Sequence, residues 1–200
     1  MRRRDSLRLM VGGAIVVPGL LIGIGNRVAA REVRVAGRSM GTTFQLRVFD
    51  SQASESAHYA VVNEVLTRVD RYMSTYKAKS EIGGLNRAPA DHDVLLSTET
   101  AHVLSRAMDA SRVSDGAFDP TVGPLVDRWG FGPLTKGGMP SADELRRLAE
   151  SVGATSLAVG ASGRHARKCR GETRVDLSGI AKGYAVDQVC DTLHAAGEHS

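Results

Sequence analysis

The residues best suited to chemistry lie in the segment VDLSGIAKGYAVD, from Val175 to Asp187. The pattern predicts a strand that ends at Asp176 and a helix that Ser178 caps. A helix that starts directly after a strand presents unpaired backbone N–H groups, which attract anions. Lys182 lies near that start, where a cation opposes the helix dipole unless an anion sits between them. The segment therefore predicts a phosphate site, with a solvated Lys182 as the alternative.

A second unusual segment, Asp115–Pro133, has the sequence DGAFDPTVGPLVDRWGFGP. It holds four glycines, three prolines, the only Trp and two of the four Phe of the chain. So many breakers exclude a regular helix or strand. The aromatic residues favour a preformed wall for a flat ligand, with Asp115, Asp119 and Asp127 as polar anchors. The alternative is a loop that packs its own aromatic side chains.

Hydrophobic periodicity predicts helices on both sides of this loop. Ser97 and Ser141 each precede such a stretch and are expected N-caps, and the first predicted helix begins at Ser54. The first helix is expected to end at Met73. Its apolar face is expected to comprise Ala57, Val61, Val65, Val69 and Met73.

Strands are predicted near both ends of the chain. Phe44, Leu46 and Val48 alternate with polar residues, which indicates a strand after a flexible turn at residues 37–42. Further on, we expect strands at 156–159 and 174–176, with a polar hairpin tip at 161–172 between them.

Residues 1–30 have the composition of an export signal. Arg2, Arg3, Arg4 and Arg8 precede an apolar, glycine-rich run, and Val28–Ala30 offers small residues for cleavage. The order of residues 3–8 is similar to a twin-arginine signal. We therefore expect the protein in the periplasm or on the outer face of the cytoplasmic membrane. An uncleaved membrane anchor is the alternative.

This leader also accounts for the charge of the chain. It contains five Arg and one Asp, which equals the net charge of +4 of the whole sequence. Residues 31–200 are thus formally neutral, which argues against a nucleic-acid-binding protein. They are numerous enough to form one domain with its own core.

Cysteine and histidine usage indicates neither a disulfide framework nor a metal centre. Cys169 and Cys190 are the only cysteines. We expect Cys190 on the buried face of a helix, with one Cys169–Cys190 bridge as the alternative. The histidines lack metal-ligand spacing, and Asp91–Asp93 is expected to be a solvated loop.

Five motifs together resemble the ApbE family of FAD:protein FMN transferases. They occur in the family's order between Gly37 and Ala195, and their combination is highly specific. The motifs are SMGT at 39–42, STY at 74–76, DGAFDPTVGP at 115–124, WGFGP at 129–133 and DLSGIAKGYAVD at 176–187.

The resemblance implies an enzyme that splits FAD in a Mg²⁺-dependent reaction. It would transfer the FMN moiety through a phosphoester bond onto a Thr or Ser hydroxyl of a partner flavoprotein and release AMP. The implied fold is α+β, with a mixed sheet and flanking helices. Two alternatives stay open, which are a metal-dependent FAD pyrophosphatase and a non-catalytic FAD-binding protein.

The resemblance also implies which residues bind, although it assigns no catalytic base. The metal would take the backbone carbonyl of Gly179. Apolar and aromatic side chains suit the isoalloxazine ring, and a cation suits the pyrophosphate. The implied FAD contacts are Met40, Tyr76, Ala117, Phe118, Asp119, Asp176 and Lys182.

The family's pattern continues past the length of this sequence. We therefore expect residues 31–200 to be the N-terminal portion of an ApbE-like domain that is incomplete at its C-terminus. The carboxylate ligands of the metal are expected beyond Ser200, and this stretch by itself is expected to show little activity.

The leader predicts a specific processed form. N-terminal sequencing of the exported protein should find Arg31 as the first residue, because Val28–Ala30 is the small-residue cleavage site. An intact Met1 on the exported protein would instead indicate an uncleaved anchor.

Overall fold

The computed structural model describes residues 31–134, 138–160 and 163–198. The predicted leader at 1–30 lies outside these ranges. The described chain begins with an antiparallel hairpin of β1 (Glu32–Ser39) and β2 (Thr42–Phe49). Met40 and Gly41 form its turn with φ of 50° and 74°, and two successive positive φ angles are typical of a type I′ turn. The strand predicted around Leu46 is confirmed, whereas the predicted flexible turn shrinks to two residues because residues 37–39 belong to β1.

Six α-helices lie within the described ranges. Four of them begin after a serine whose hydroxyl accepts a hydrogen bond from a backbone N–H three residues ahead. Two of these caps, Ser97 and Ser141, confirm the sequence prediction, whereas Ser54, the predicted first residue of its helix, is the cap. The helices are α1 (Glu55–Met73), α2 (Glu81–Arg87), α3 (Thr98–Val113), α4 (Gly123–Arg128), α5 (Ala142–Ala149) and α6 (Ser178–Ala195). The helix α4 lies within the 115–133 segment, so the exclusion of a regular helix there is wrong. Its proline, Pro124, lies in the first turn, where a missing N–H costs no helical hydrogen bond.

The start of α6 differs from the prediction. Ser178 is the first helical residue rather than the cap, and Leu177 at the cap position makes no side-chain hydrogen bond. The Asp176 carboxylate takes over the capping role, since it accepts from the Ser178 N–H at 2.8 Å and from the Ser178 hydroxyl. A carboxylate just before a helix also complements the positive end of the helix dipole.

A second small sheet contains β3 (Val94–Leu95), β4 (Leu157–Val159) and β5 (His165–Lys168) in the order β3-β5-β4, with antiparallel pairing. The predicted hairpin tip at 161–172 is wrong because it contains β5. The predicted strand at 174–176 is also wrong, because that segment makes only an isolated parallel bridge between Arg174 and Val122.

The charge of β5 explains why the sequence suggested a loop. Its Lys168 is 2% exposed, although a lysine in a polar run normally indicates solvent. The ammonium donates to the carbonyls of Asn86 and Gly171, both at 3.0 Å. Burial, together with the positive charge of Arg174, lowers the pKa of Lys168.

The core forms where α1, α3 and α6 pack against one another and against the hairpin. Of the predicted face of α1, Val65, Val69 and Met73 are buried, but Ala57 is exposed and Val61 is only half-buried. On α6 the buried positions include Val189 and Leu193, so Cys190 faces solvent and the burial predicted for it is wrong. Cys169 is also exposed, and neither cysteine is in a disulfide.

These elements confirm the α+β class with flanking helices. In the described residues the strands form two small antiparallel sheets, and parallel pairing is limited to the bridge between Val122 and Arg174. Within the same ranges, no helix combines the length and the apolar character needed to cross a membrane.

The contact between α4 and the segment before α6 predicts the effect of one methyl group. A Cβ at Gly123 would lie 2.6 Å from the Arg174 carbonyl oxygen, so Gly123→Ala must displace backbone. We expect it to lower the free energy of unfolding by about 1–3 kcal/mol, measured by urea denaturation. Gly84→Ala in α2 is the control, because its Cβ would meet nothing within 4 Å. Equal stability of the two variants would contradict the close approach.

Candidate functional site

A cleft of about 350 Å³ opens where the β1–β2 turn, the end of α1 and the start of α6 meet. We call it the cleft throughout. Three of the predicted FAD contacts line it, although they come from segments far apart in sequence. These are Met40 on the hairpin turn, Tyr76 after α1 and Lys182 on the first turns of α6.

The segment that carries Tyr76 is held by its own hydrogen bonds. Ser74 ends α1, and its carbonyl accepts from the Ser80 hydroxyl at 2.6 Å. The Ser80 N–H donates to the Lys77 carbonyl at 3.0 Å. Gly83 allows the chain to pass, because a Cβ there would lie 2.6 Å from the Lys77 carbonyl oxygen. The backbone at residues 74–80 is therefore fixed although several of its side chains are exposed.

Tyr76 is 67% exposed, which is unusual for a large aromatic side chain. Its hydroxyl donates to the Phe131 carbonyl at 2.6 Å, which links the wall of the cleft to the segment 115–133, called the central loop from here on. Phe131 and Trp129 are themselves 76% and 48% exposed. The loop therefore leaves Trp129 and Phe131 uncovered, which contradicts the packed-loop alternative for these two residues, whereas Phe118 is half-buried against the core.

Lys182 extends toward the start of its own helix. Its ammonium lies 3.5 Å from the Ser178 carbonyl oxygen, a long contact at the limit of a hydrogen bond. The side chain is exposed, and Ala181 beside it forms part of the cleft floor. A cation with such weak protein contacts at a helix start is suited to bind an anion.

The remaining predicted contacts do not line the cleft, and of these Phe118 and Asp176 lie at the start of α6. A Cβ at Gly179 would lie 3.0 Å from the Phe118 ring, so the ring packs directly over the first turn of the helix. Asp119 accepts from the backbone N–H and the hydroxyl of Thr121, at 2.8 and 2.6 Å. Ala117 is exposed. The structure thus places Phe118 and Gly179 in contact, one helical turn from Lys182.

Asp127 has a different role from the one that the sequence suggested. It is 8% exposed and pairs with Arg174 at 3.0 Å. It also accepts from the Leu134 N–H at 3.1 Å, and a Cβ at Gly132 would lie 2.0 Å from its carboxylate oxygen. The fold itself uses this carboxylate, so Asp127 anchors the loop.

The sequence analysis missed the two charged cleft residues Asp70 and Lys77. Their side chains form an ion pair of 2.5 Å between the last turn of α1 and the segment after it. Lys77 is adjacent to Tyr76 in the STY motif's segment, and this adjacency was the available signal. No sequence signal pointed to Asp70, because a charged residue near a helix end usually faces solvent.

The described residues do not form a magnesium site by themselves. Mg²⁺ requires several oxygen ligands, of which carboxylates are the usual protein contribution. No group of three or more His, Cys, Asp or Glu side chains suited to a metal occurs in the described ranges. The carbonyl of Gly179 alone does not fit such an ion, so we derive no step through a metal.

Comparison with known proteins identifies the family. The model of the ApbE family matches residues 40–200. The chain belongs to the ApbE family. This membership agrees with the five motifs, which all lie in or at the edge of the matched range.

Solved ApbE structures share the fold. A flavin transferase ApbE from Vibrio cholerae has a TM-score of 0.80 at 33% identity, covering 84% of this chain and 55% of that one. Pseudomonas stutzeri flavinyl transferase ApbE in its apo form has a TM-score of 0.78 at 29% identity, covering 86% and 57%. The α+β arrangement described above is therefore that of ApbE proteins.

Curated relatives carry a more specific name. The FAD:protein FMN transferase of Vibrio cholerae is 33% identical over 186 residues, covering 92% of this chain and 55% of its own length. That of Haemophilus influenzae is 31% identical over 195 residues, covering 94% and 56%. The chain thus spans slightly more than half the length of these relatives.

The capping role of Asp176 predicts that stability and ligand binding can be separated. Asp176→Ala removes the acceptor of the Ser178 N–H and should lower the free energy of unfolding by about 1 kcal/mol. Asp176→Asn keeps a side-chain acceptor and should retain most of the stability. Thermal or urea unfolding of both variants measures this, and equal losses would contradict the cap. Weaker FAD binding by Asp176→Asn at unchanged stability would add a direct ligand contact.

Proposed function

We propose that the protein is an FAD:protein FMN transferase. It transfers the FMN moiety of FAD onto a Thr or Ser hydroxyl of a partner flavoprotein and releases AMP, in a Mg²⁺-dependent reaction. One observation carries the proposal, namely that the fold brings Met40, Tyr76 and Lys182 to a single cleft. The names of the relatives from Vibrio cholerae and Haemophilus influenzae support the same activity.

The cleft has the chemistry that FAD requires. Met40 and Tyr76 offer a polarisable and an aromatic surface to the isoalloxazine ring. The volume of about 350 Å³ is in the range of small-molecule sites, although the cleft is open to solvent. Lys182 at the start of α6 supplies positive charge for the pyrophosphate. The proposed orientation therefore puts the ring near the hairpin turn and the phosphates near α6.

The transfer itself is a phosphoryl substitution. The acceptor oxygen forms a bond to the phosphorus of the FMN half, and the bond from that phosphorus to the bridging oxygen breaks. AMP leaves with the bridging oxygen, and the hydroxyl proton is released. Such reactions depend mainly on positioning and on neutralising the phosphate charge. Lys182 contributes to both, because its ammonium reduces the charge that the incoming oxygen meets.

Location and partner form part of the same proposal. The leader at residues 1–30 supports export to the periplasm or the outer face of the cytoplasmic membrane, with the twin-arginine route as the candidate pathway. The partner is an exported flavoprotein with a Thr or Ser flavinylation site. Association with the membrane would come through the leader or through that acceptor.

The test is an assay of the intact protein with FAD, Mg²⁺ and a Thr-bearing acceptor. Flavin attached covalently to the acceptor, with one AMP per flavin and a loss of transfer in EDTA, is the expected result. Free FMN with AMP would indicate a pyrophosphatase, and intact bound FAD would indicate a non-catalytic binding protein.

A binding measurement tests where the isoalloxazine ring lies. Tyr76→Ala should weaken FAD binding by about 1–3 kcal/mol, the range for losing an aromatic contact to a stacked ring. Titration of flavin fluorescence measures the affinity. Phe49→Ala is the control, because this exposed aromatic residue ends β2 and does not line the cleft. Unchanged FAD affinity in Tyr76→Ala would exclude this ring site.

A further inference from the structure

The cleft contains a second lysine that the FAD contacts named above do not include. Lys77 lines the same wall as Tyr76, and its ammonium lies 2.5 Å from the Asp70 carboxylate. The side chain of Lys77 is 51% exposed, and that of Asp70 is 21% exposed. The ammonium is therefore accessible from the cleft, whereas the carboxylate behind it is largely covered.

The position of Lys77 is set by the fold rather than by its long side chain alone. Its carbonyl accepts from the Ser80 N–H at 3.0 Å and lies close to Gly83, where a Cβ would come within 2.6 Å of it. Lys79, two residues further along the same segment, is exposed but does not line the cleft. Of the lysines in this segment, Lys77 is thus the one that the fold directs to the cleft.

The charge of the pyrophosphate, compared with the charges that line the cleft, indicates a role for Lys77. The pyrophosphate of a dinucleotide carries two negative charges at neutral pH. Lys77 and Lys182 are the two cations among the described residues that line the cleft, and Asp70 is the one anion. Lys182 alone neutralises half of the ligand charge, whereas both lysines together match it. As long as the pyrophosphate is not bound, Asp70 forms an ion pair with Lys77.

The exchange of partners is energetically accessible. Because Lys77 is half-exposed, water screens its ion pair with Asp70, and holding the long lysine side chain in one geometry costs entropy. A phosphate oxygen offers a lysine an equally strong charge-assisted hydrogen bond. A flexible lysine can therefore shift from the carboxylate to the phosphate without disturbing the backbone that holds it.

We propose that Lys77 is a second phosphate-binding residue of this cleft and that Asp70 competes with the pyrophosphate for it. This inference rests on the proposed function, since it takes FAD to be the ligand. Its consequence is that the two partners of one ion pair affect FAD affinity in opposite directions. Asp70 keeps the affinity below the value that two unpaired lysines would give.

The test compares FAD with riboflavin, which has the same ring but no phosphate. In the intact protein, Lys77→Gln should weaken FAD binding by about 5- to 10-fold, the effect of one partly exposed charge-assisted bond. Riboflavin affinity should not change. Asp70→Asn should tighten FAD binding by about 2- to 5-fold, because it removes the competing charge. Flavin fluorescence titration in low salt measures all three, and Lys77→Arg should recover part of the loss.

Lys79→Gln is the matched control, since it removes the same charge from the same segment without changing the cleft wall. Equal effects of Lys77→Gln and Lys79→Gln would show a general field effect and overturn the proposal. So would equal weakening of FAD and riboflavin, or a loss of FAD affinity in Asp70→Asn, either of which would make the ion pair purely structural.

Lys182→Gln and Tyr76→Ala separate this inference from the proposed function. If both weaken FAD binding while Lys77→Gln does not, the FAD site stands and the role of Lys77 is wrong. If none of the three variants changes FAD affinity, the cleft is not the FAD site and both proposals fail.

Discussion

The position of the candidate site depends on the contact between the central loop and the segment that precedes α6. The Asp127 carboxylate pairs with Arg174 at 3.0 Å, and the Asp176 N–H donates to the Pro120 carbonyl at 2.7 Å. Gly123 lets the two backbones approach, since a Cβ would lie 2.6 Å from the Arg174 carbonyl oxygen. These contacts fix the start of α6, and with it Gly179 under the Phe118 ring and Lys182 on the cleft.

A second property of the site follows from how its acidic residues are used. Asp127 is bound to Arg174, Asp119 accepts from Thr121, and Asp176 caps α6. Each of these carboxylates satisfies a nearby donor of the protein. The cleft wall itself has two lysines and one aspartate. Although several aspartates lie near the cleft in sequence, the side chains that line it carry a net positive charge. A positive cleft favours the binding of anions.

The exposed aromatic residues have a related explanation. Tyr76, Trp129 and Phe131 all remain on the surface of the described residues, although burying them would stabilise the fold. The hydrogen bond from the Tyr76 hydroxyl to the Phe131 carbonyl holds the tyrosine ring in place without burying it. A fixed but uncovered aromatic ring loses little further entropy when a flat ligand packs against it.

The sequence by itself determined the local features and the family. The caps Ser97 and Ser141 and the alternation along β2 each depend on neighbouring residues, so they could be predicted without a structure. The helix α4 inside the 115–133 segment could not, because its packing against distant residues outweighs the local breakers. The five motifs identified the family because each is a short continuous segment. The tertiary structure alone decided which charges meet. It paired Asp127 with Arg174, buried Lys168 in β5 and placed Asp70 beside Lys77 on the cleft. These outcomes depend on the packing of distant segments, and a charged residue has the same local signal whether it binds the protein, water or a ligand.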